Sequence, residues 1–144
     1  RCFLDPALPG SVIRAGVQKN REIPILIVKP SQVLLTVRAN DFSFILEERF
    51  AQIFALLDEY MVKVNLIQSS AVNLALCMDR TRHLEELTER LRQEGYYTRY
   101  NTDMELITIR NYTPQQLAAL EGAQDVYLVQ RTRRTLQAVR RREE

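Results

Sequence analysis

No apolar run in the 144 residues approaches the roughly 20 needed to cross a bilayer as a helix, so the chain does not read as a membrane protein. Glycine is scarce: there are four, none between Gly16 and Gly95, and no glycine-rich loop that could cradle a phosphate is present. The only two cysteines, Cys2 and Cys77, lie far apart, and Cys77 falls in an alternating apolar run where a buried small hydrophobe is the usual occupant. That usage points to a reducing, cytoplasmic setting rather than a disulfide framework. The single histidine, His83, stands beside Arg82 and Glu85 with no ligand cluster at metal spacing, so it reads as a solvated surface residue and no metal is expected. Neither an activated serine or cysteine nor a pair of carboxylates facing a cleft can be recognised, so no catalytic residue is expected in these 144 residues. A net charge of +2 is too small to advertise nucleic acid, although Arg131, Arg133, Arg134, Arg140, Arg141 and Arg142 crowd one end. The opening Arg1-Cys2-Phe3-Leu4-Asp5-Pro6 lacks the features of a translation start or signal peptide, which suggests a piece of a longer chain.

What is there has the balance of an ordinary globular protein, 46% hydrophobic and 26% charged, in a length that fits one domain or two small ones. Pro6, Pro9, Gly10 and Gly16 mark residues 1–21 as a linker. Ile23, Ile25 and Ile27 alternate with Pro24, Leu26 and Val28 in a short strand, whose proline favours a strand start or an edge. Pro30 and Ser31 separate it from a second strand at 32–38, rich in β-branched Val33, Thr36 and Val37. Between residues 46 and 60 the period changes: Leu46, Phe50, Ile53, Phe54 and Leu57 form the stripe of an amphipathic helix. Val62, Val64 and Leu66, then Val72, Leu74 and Leu76, return to a period of two. Thr81 is the expected N-cap of a second helix carrying Leu84, Leu87 and Leu91, closed at Gly95, and residues 96–100 have strand composition. Strand, helix, strand, strand, helix, strand is the ferredoxin-like plan.

A second pass begins at Glu105. Residues 105–110 alternate, Thr113-Pro114-Gln115-Gln116 stands in capping-box register, the helix closes at Gly122, and strands at 125–131 and 135–139 follow. This copy lacks a last helix and strand. The expectation is therefore an α+β fold of two ferredoxin-like βαββαβ modules of ACT type, the second abbreviated and completed by the strand at 23–28. The first module occupies 32–103; the second is 22–31 plus 104–142.

Three stretches carry a family resemblance spread over essentially the whole chain. Pro9-Gly10-Ser11-Val12-Ile13 resembles the segment that follows the kinase domain in aspartate kinases. Lys63-Val64-Asn65-Leu66-Ile67-Gln68-Ser69-Ser70 resembles the strand lining the effector site of their first ACT module. Residues 105–110 with 128–133 look like the short final module of one bacterial branch. The resemblance implies a non-catalytic regulatory region of an aspartate kinase. ATP and magnesium would serve a kinase domain elsewhere in the parent, where aspartate is phosphorylated at the start of lysine, threonine and methionine biosynthesis. It also implies a feedback amino acid as ligand, a homodimer through the first module, and the parent's kinase domain as partner.

By position, the implied effector site comprises Asp41, Phe42, Ser43, Phe44 and Ile45 in the strand-to-helix loop of one chain. Val64, Asn65 and Leu66, with Gln68, Ser69 and Ser70, form the facing strand of the other. Asn65 stands where relatives often carry an aspartate beside the ligand's amino group. The region departs from many regulatory ACT loops in lacking a glycine; Glu47 and Glu48 lie there instead, which favours lysine over threonine. Each residue also has an ordinary reading. Asp41 suits a turn, Phe42 and Phe44 a core or a dimer surface, and Asn65 an interface hydrogen bond. Two alternatives keep the fold and change the partner: a small-molecule sensor of another regulated protein, or an RNA-binding sheet using the arginines with Tyr112 and Tyr127.

Overall fold

The computed structural model describes residues 23–41 and 47–142. The elements run β1 (Ile25–Ala39), α1 (Glu47–Glu59), β2 (Val64–Ser69), β3 (Asn73–Asp79), α2 (Leu84–Gln93), β4 (Tyr96–Arg110), α3 (Pro114–Glu121), β5 (Val126–Arg131) and β6 (Thr135–Arg141). All strands join one antiparallel sheet in the order β2-β3-β1-β4-β6-β5.

Four strands expected to be separate are here two long ones. Pro30 does not end β1, because it sits in a bulge, where its missing N–H breaks no ladder bond. Ser31 takes φ 56° there, and Asp103 takes φ 57° at the corresponding point of β4. Both kinks are tied the same way: the Ser31 carbonyl accepts from the Arg80 N–H just past β3, and the Asp103 carbonyl from the Arg142 N–H just past β6, each at 2.9 Å. The Arg80 guanidinium also lies 3.5 Å from the Asp103 carboxylate, joining the two kinks.

Each long strand consequently serves both halves of the sheet. Residues 32–39 are central in the first half and residues 104–110 in the second. Residues 96–101 form one edge of the first half, and residues 25–29, paired with 106–110, one edge of the second. Both halves have the ferredoxin-like strand order, and the early strand completes the second. That edge carries Ile25, Leu26, Ile27 and Val28, all of them exposed.

Three apolar clusters follow from alternation. Val33, Leu35 and Val37 of β1 and Leu74, Leu76 and Met78 of β3 pack beneath Ile53 and Leu57 of α1 and Leu87 and Leu91 of α2. The residues between them face the other way and meet the second half: Leu34, Leu66 and Cys77 join Met104, Leu106, Leu128 and Val139. Tyr96 and Tyr100 belong to the helix side but Met104 and Leu106 to this seam, so the kink at Asp103 switches which residues face which side. Ile107, Ile109 and Leu136 pack beneath Leu117 and Leu120 of α3.

The caps are as expected at α3, where Thr113 Oγ1 accepts from the Gln116 N–H at 3.3 Å and Gln116 Oε1 from the Thr113 N–H at 2.9 Å. Gly95 follows α2 at φ 90°, a conformation costly for other residues. Thr81 is a correction. The N-cap of α2 is His83, and the Thr81 hydroxyl instead accepts from the His83 N–H at 3.2 Å, so the helix starts one half-turn later.

Candidate functional site

β2 contains the residue that organises the site. Val64 stands opposite Met78 and Leu66 opposite Cys77, so Asn65 is an extra residue in the ladder. Val64 packs with the helix-side core, whereas Leu66 is buried at the seam. Asn65 reaches into a polar cluster at the same seam. Its Oδ1 accepts from Lys29 Nζ at 2.8 Å, and its Nδ2 donates to Gln32 Oε1 at 2.8 Å and to Asp79 Oδ1 at 2.7 Å. Lys29 Nζ lies 2.6 Å from Asp79 Oδ1. Gln32, only 1% exposed, donates to Asp79 Oδ1 at 3.0 Å and to the Pro30 carbonyl at 3.1 Å. The cluster thus clamps residues 29–32 to the ends of β2 and β3. Both Asn65 amide hydrogens are committed, and one lone pair on Oδ1 remains. That atom can accept from an ammonium; the side chain has no hydrogen left for a carboxylate.

Burial pushes the Asp79 carboxyl up, but the hydrogen bonds from Lys29, Gln32 and Asn65 and the Lys29 charge outweigh it, lowering its pKa from 3.8 to about 2. A carboxyl depressed in the folded state contributes stability that is complete above the unfolded value and lost as pH falls through the folded one. Asp79 is 37% exposed, so solvent screening reduces that contribution to about 1 kcal/mol. Denaturant titrations between pH 5 and 2 should show the parent losing this amount relative to Asp79→Asn, chiefly between pH 4 and 2. Parallel profiles for the two proteins would contradict it. The neighbouring Cys77 thiol is pushed up to about 11 by burial and by the Asp79 charge, which makes it a poor nucleophile at neutral pH.

The loop side is simpler. Asp41 is exposed and pairs with Arg49 across 3.4 Å, in keeping with its turn reading. Phe42, Ser43, Phe44 and Ile45 lie outside the described residues. Glu47 and Glu48 are exposed in the first turn of α1, where carboxylates also suit the helix dipole. Gln68, Ser69 and Ser70 are exposed along and just beyond the end of β2, and Ser70 Oγ accepts from the Asn73 N–H at 3.1 Å.

Through β3, Val64 is level with Val33 of β1, Leu66 with Leu34, and Ser69 with Val37. At about 3.3 Å per residue, the Val64–Leu66 end of β2 lies roughly 20 Å along the sheet from Ala39, where the Asp41 turn begins. One chain therefore brings Ser69 and Ser70 towards the loop end and leaves Asn65 at the other.

Lys29, Gln32 and Asp79 were not singled out from sequence. The visible signal was a glutamine opening an aliphatic run. Elsewhere, His83 is half-buried rather than simply solvated, with Nδ1 3.1 Å from Glu86 Oε2. Tyr112 packs beside α3 and donates to the Thr132 carbonyl at 3.0 Å, so it does not belong to an open aromatic platform. Arg140 forms a 2.6 Å ion pair with nearly buried Glu105, while Arg131, Arg133, Arg134, Arg141 and Arg142 are exposed. Among the described residues no helix is long and apolar enough to cross a membrane, and no group of three metal-binding side chains assembles.

No protein-family model and no curated protein sequence matches this chain. Solved structures do. E. coli aspartokinase III, in complex with lysine and aspartate in its T-state, superposes with a TM-score of 0.67 at 17% identity over 94% of this chain and 33% of that one. A domain assigned as the C-terminal regulatory domain of aspartate kinase from Porphyromonas gingivalis W83 gives 0.68 at 18% identity, covering 84% of this chain and 88% of its own. The ligand-free regulatory subunit of aspartate kinase from Thermus thermophilus gives 0.59 at 13%, covering 81% and 86%. This chain spans about a third of the E. coli enzyme and most of the other two. It has the α+β fold of the C-terminal regulatory regions of aspartate kinases.

Proposed function

We propose that this chain is the allosteric, amino-acid-binding part of an aspartate kinase, working in the cytoplasm and holding no catalytic residue of its own. The observation that carries the reading is the likeness over 94% of the chain to a structure solved with lysine bound. Residues 32–103 form the sensing module, and residues 22–31 with 104–142 its companion. The ATP- and magnesium-dependent phosphorylation of aspartate belongs to a kinase domain elsewhere in the parent.

The effector site is shared between two copies. β2 is an edge strand with Ile67 exposed on it, and antiparallel pairing of β2 with its own copy about a two-fold axis makes each contact reciprocal. Such pairing sets Asn65 opposite Gln68 or Ser69 of the second copy, at the end that carries the second copy's Asp41 turn. The separated groups of one chain are thereby joined across the axis. Asn65 Oδ1 takes the ligand's ammonium, and Glu47 and Glu48 favour a cationic side chain, hence lysine ahead of threonine.

Calorimetric titration of the chain with each proteinogenic amino acid, with sedimentation in parallel, tests this. Saturable binding of lysine together with a dimer at high micromolar concentration is expected. Binding of none of the amino acids, or a strict monomer when ligand is saturating, would overturn it.

A further inference from the structure

The first half of the sheet has a second surface, turned away from α1 and α2. Val33, Leu35 and Val37 point to the helices, so Thr36 and Arg38 point outward, and β3 and β4 contribute the residues level with them. Asn73 and Tyr97 flank Arg38, Arg99 stands beside Thr36, and Asn101 lies one pair further along. Tyr127 of β5 forms the far rim of a cavity of about 370 Å³.

Its chemistry is one-sided. Among the described residues two guanidinium groups line it and no carboxylate does. The Arg38 guanidinium rests on the Tyr97 ring, 4.8 Å from its centroid, which fixes its direction. Arg99 is exposed and forms no ion pair among the described residues. On adjacent strands Arg38 and Arg99 are diagonal neighbours, close enough for both to grip one oxyanion. A free amino acid suits the surface poorly, because its ammonium would meet two cations and no carboxylate. A phosphate monoester, close to doubly charged at neutral pH, matches both arginines where a single carboxylate matches one. The cavity holds more than a phosphate needs, and the rings of Tyr97 and Tyr127, 51% and 47% exposed, offer a flat group something to stack on.

We infer that this face binds a nucleoside monophosphate, its phosphate between Arg38 and Arg99 and its base against Tyr127, at a site separate from the amino-acid site on β2. Calorimetric titration of the 144-residue chain at low salt with AMP, adenosine and inorganic phosphate tests it. AMP should saturate, with adenosine and phosphate each weaker by about tenfold or more. Arg99→Ala should weaken AMP by about tenfold or more, Arg99→Lys should recover part of the loss, and Tyr127→Ala should weaken AMP but not phosphate. Arg99 and Tyr127 are exposed, so melting curves of these variants should overlay the parent's. Absence of saturable AMP binding up to about 10 mM overturns the proposal, as does equal affinity for adenosine or an unchanged Arg99→Ala. Phosphate binding as tightly as AMP removes the nucleoside from it.

Discussion

Leu76→Ala is expected to lower the unfolding free energy by about 3–5 kcal/mol, a large part of the total for a protein of this size. Leu76 has no exposed surface and lies in β3, between β2 and β1, beneath both helices of the first half. Truncation removes its transfer free energy and leaves a cavity that β-strands hydrogen-bonded on both sides cannot collapse to fill. Because β1 and β4 each run through both halves and the Asn65 cluster clamps the seam, the loss should appear as a lower midpoint of a single denaturant transition. A separate early transition for the first half would contradict the shared-strand architecture, and a loss under about 1 kcal/mol would contradict the packing. Ile27→Ala, at a position 51% exposed on the edge of β1, is the matching control and should cost far less.

Asn65→Ala should weaken lysine binding by about 10- to 100-fold, since a hydrogen bond to a charged group contributes roughly 1.5–3 kcal/mol. The structure adds a direction to that effect. With both amide hydrogens held by Gln32 and Asp79, the proposed contact to the ligand's ammonium would go through Oδ1. The loss should therefore persist with lysine amide, which keeps the ammonium and lacks the carboxylate. The variant should stay folded, because no buried apolar volume is removed, though at reduced stability as Lys29, Gln32 and Asp79 lose a partner. In the proposed parent kinase, once reconstituted, the same change should relieve feedback inhibition and leave uninhibited turnover nearly unchanged. Parent-like affinity of Asn65→Ala for lysine, measured by calorimetry, would remove Asn65 from the site.

Much of this fold was legible because its two periodicities are clean. The alternation of Val33, Leu35 and Val37 and the helical stripe of Leu84, Leu87 and Leu91 each put one face into the same core. The capping box at Thr113 was readable to the residue, because side-chain chemistry and spacing suffice to specify it. The kinks were not. Pro30 and Ser31 have the composition of a strand break, and only the tie from Arg80, distant in sequence, makes them a bulge inside one continuous strand. Thr81 failed as an N-cap for a related reason: an isolated hydroxyl fits several turns, and no residue at capping-box spacing selects the helix start. At the site, Asn65 stood out as an amide among aliphatics, but its partners come from two other strands, β1 and β3. Lys29, Gln32 and Asp79 meet only because β1 lies beside β3, a relation that no local pattern encodes.

The most direct test of the sensing claim is an NMR titration of the isotopically labelled chain with lysine, following each backbone amide. Saturable shifts should concentrate at Asp41, at Val64, Asn65 and Leu66, and at Gln68, Ser69 and Ser70, with line broadening that reports the pairing of β2 across the two-fold axis. The amides of Arg38, Tyr97 and Arg99, which line the separate cavity on the helix-free face, should stay in place. Shifts confined to that surface, or no saturable shifts with lysine or threonine, would contradict the account.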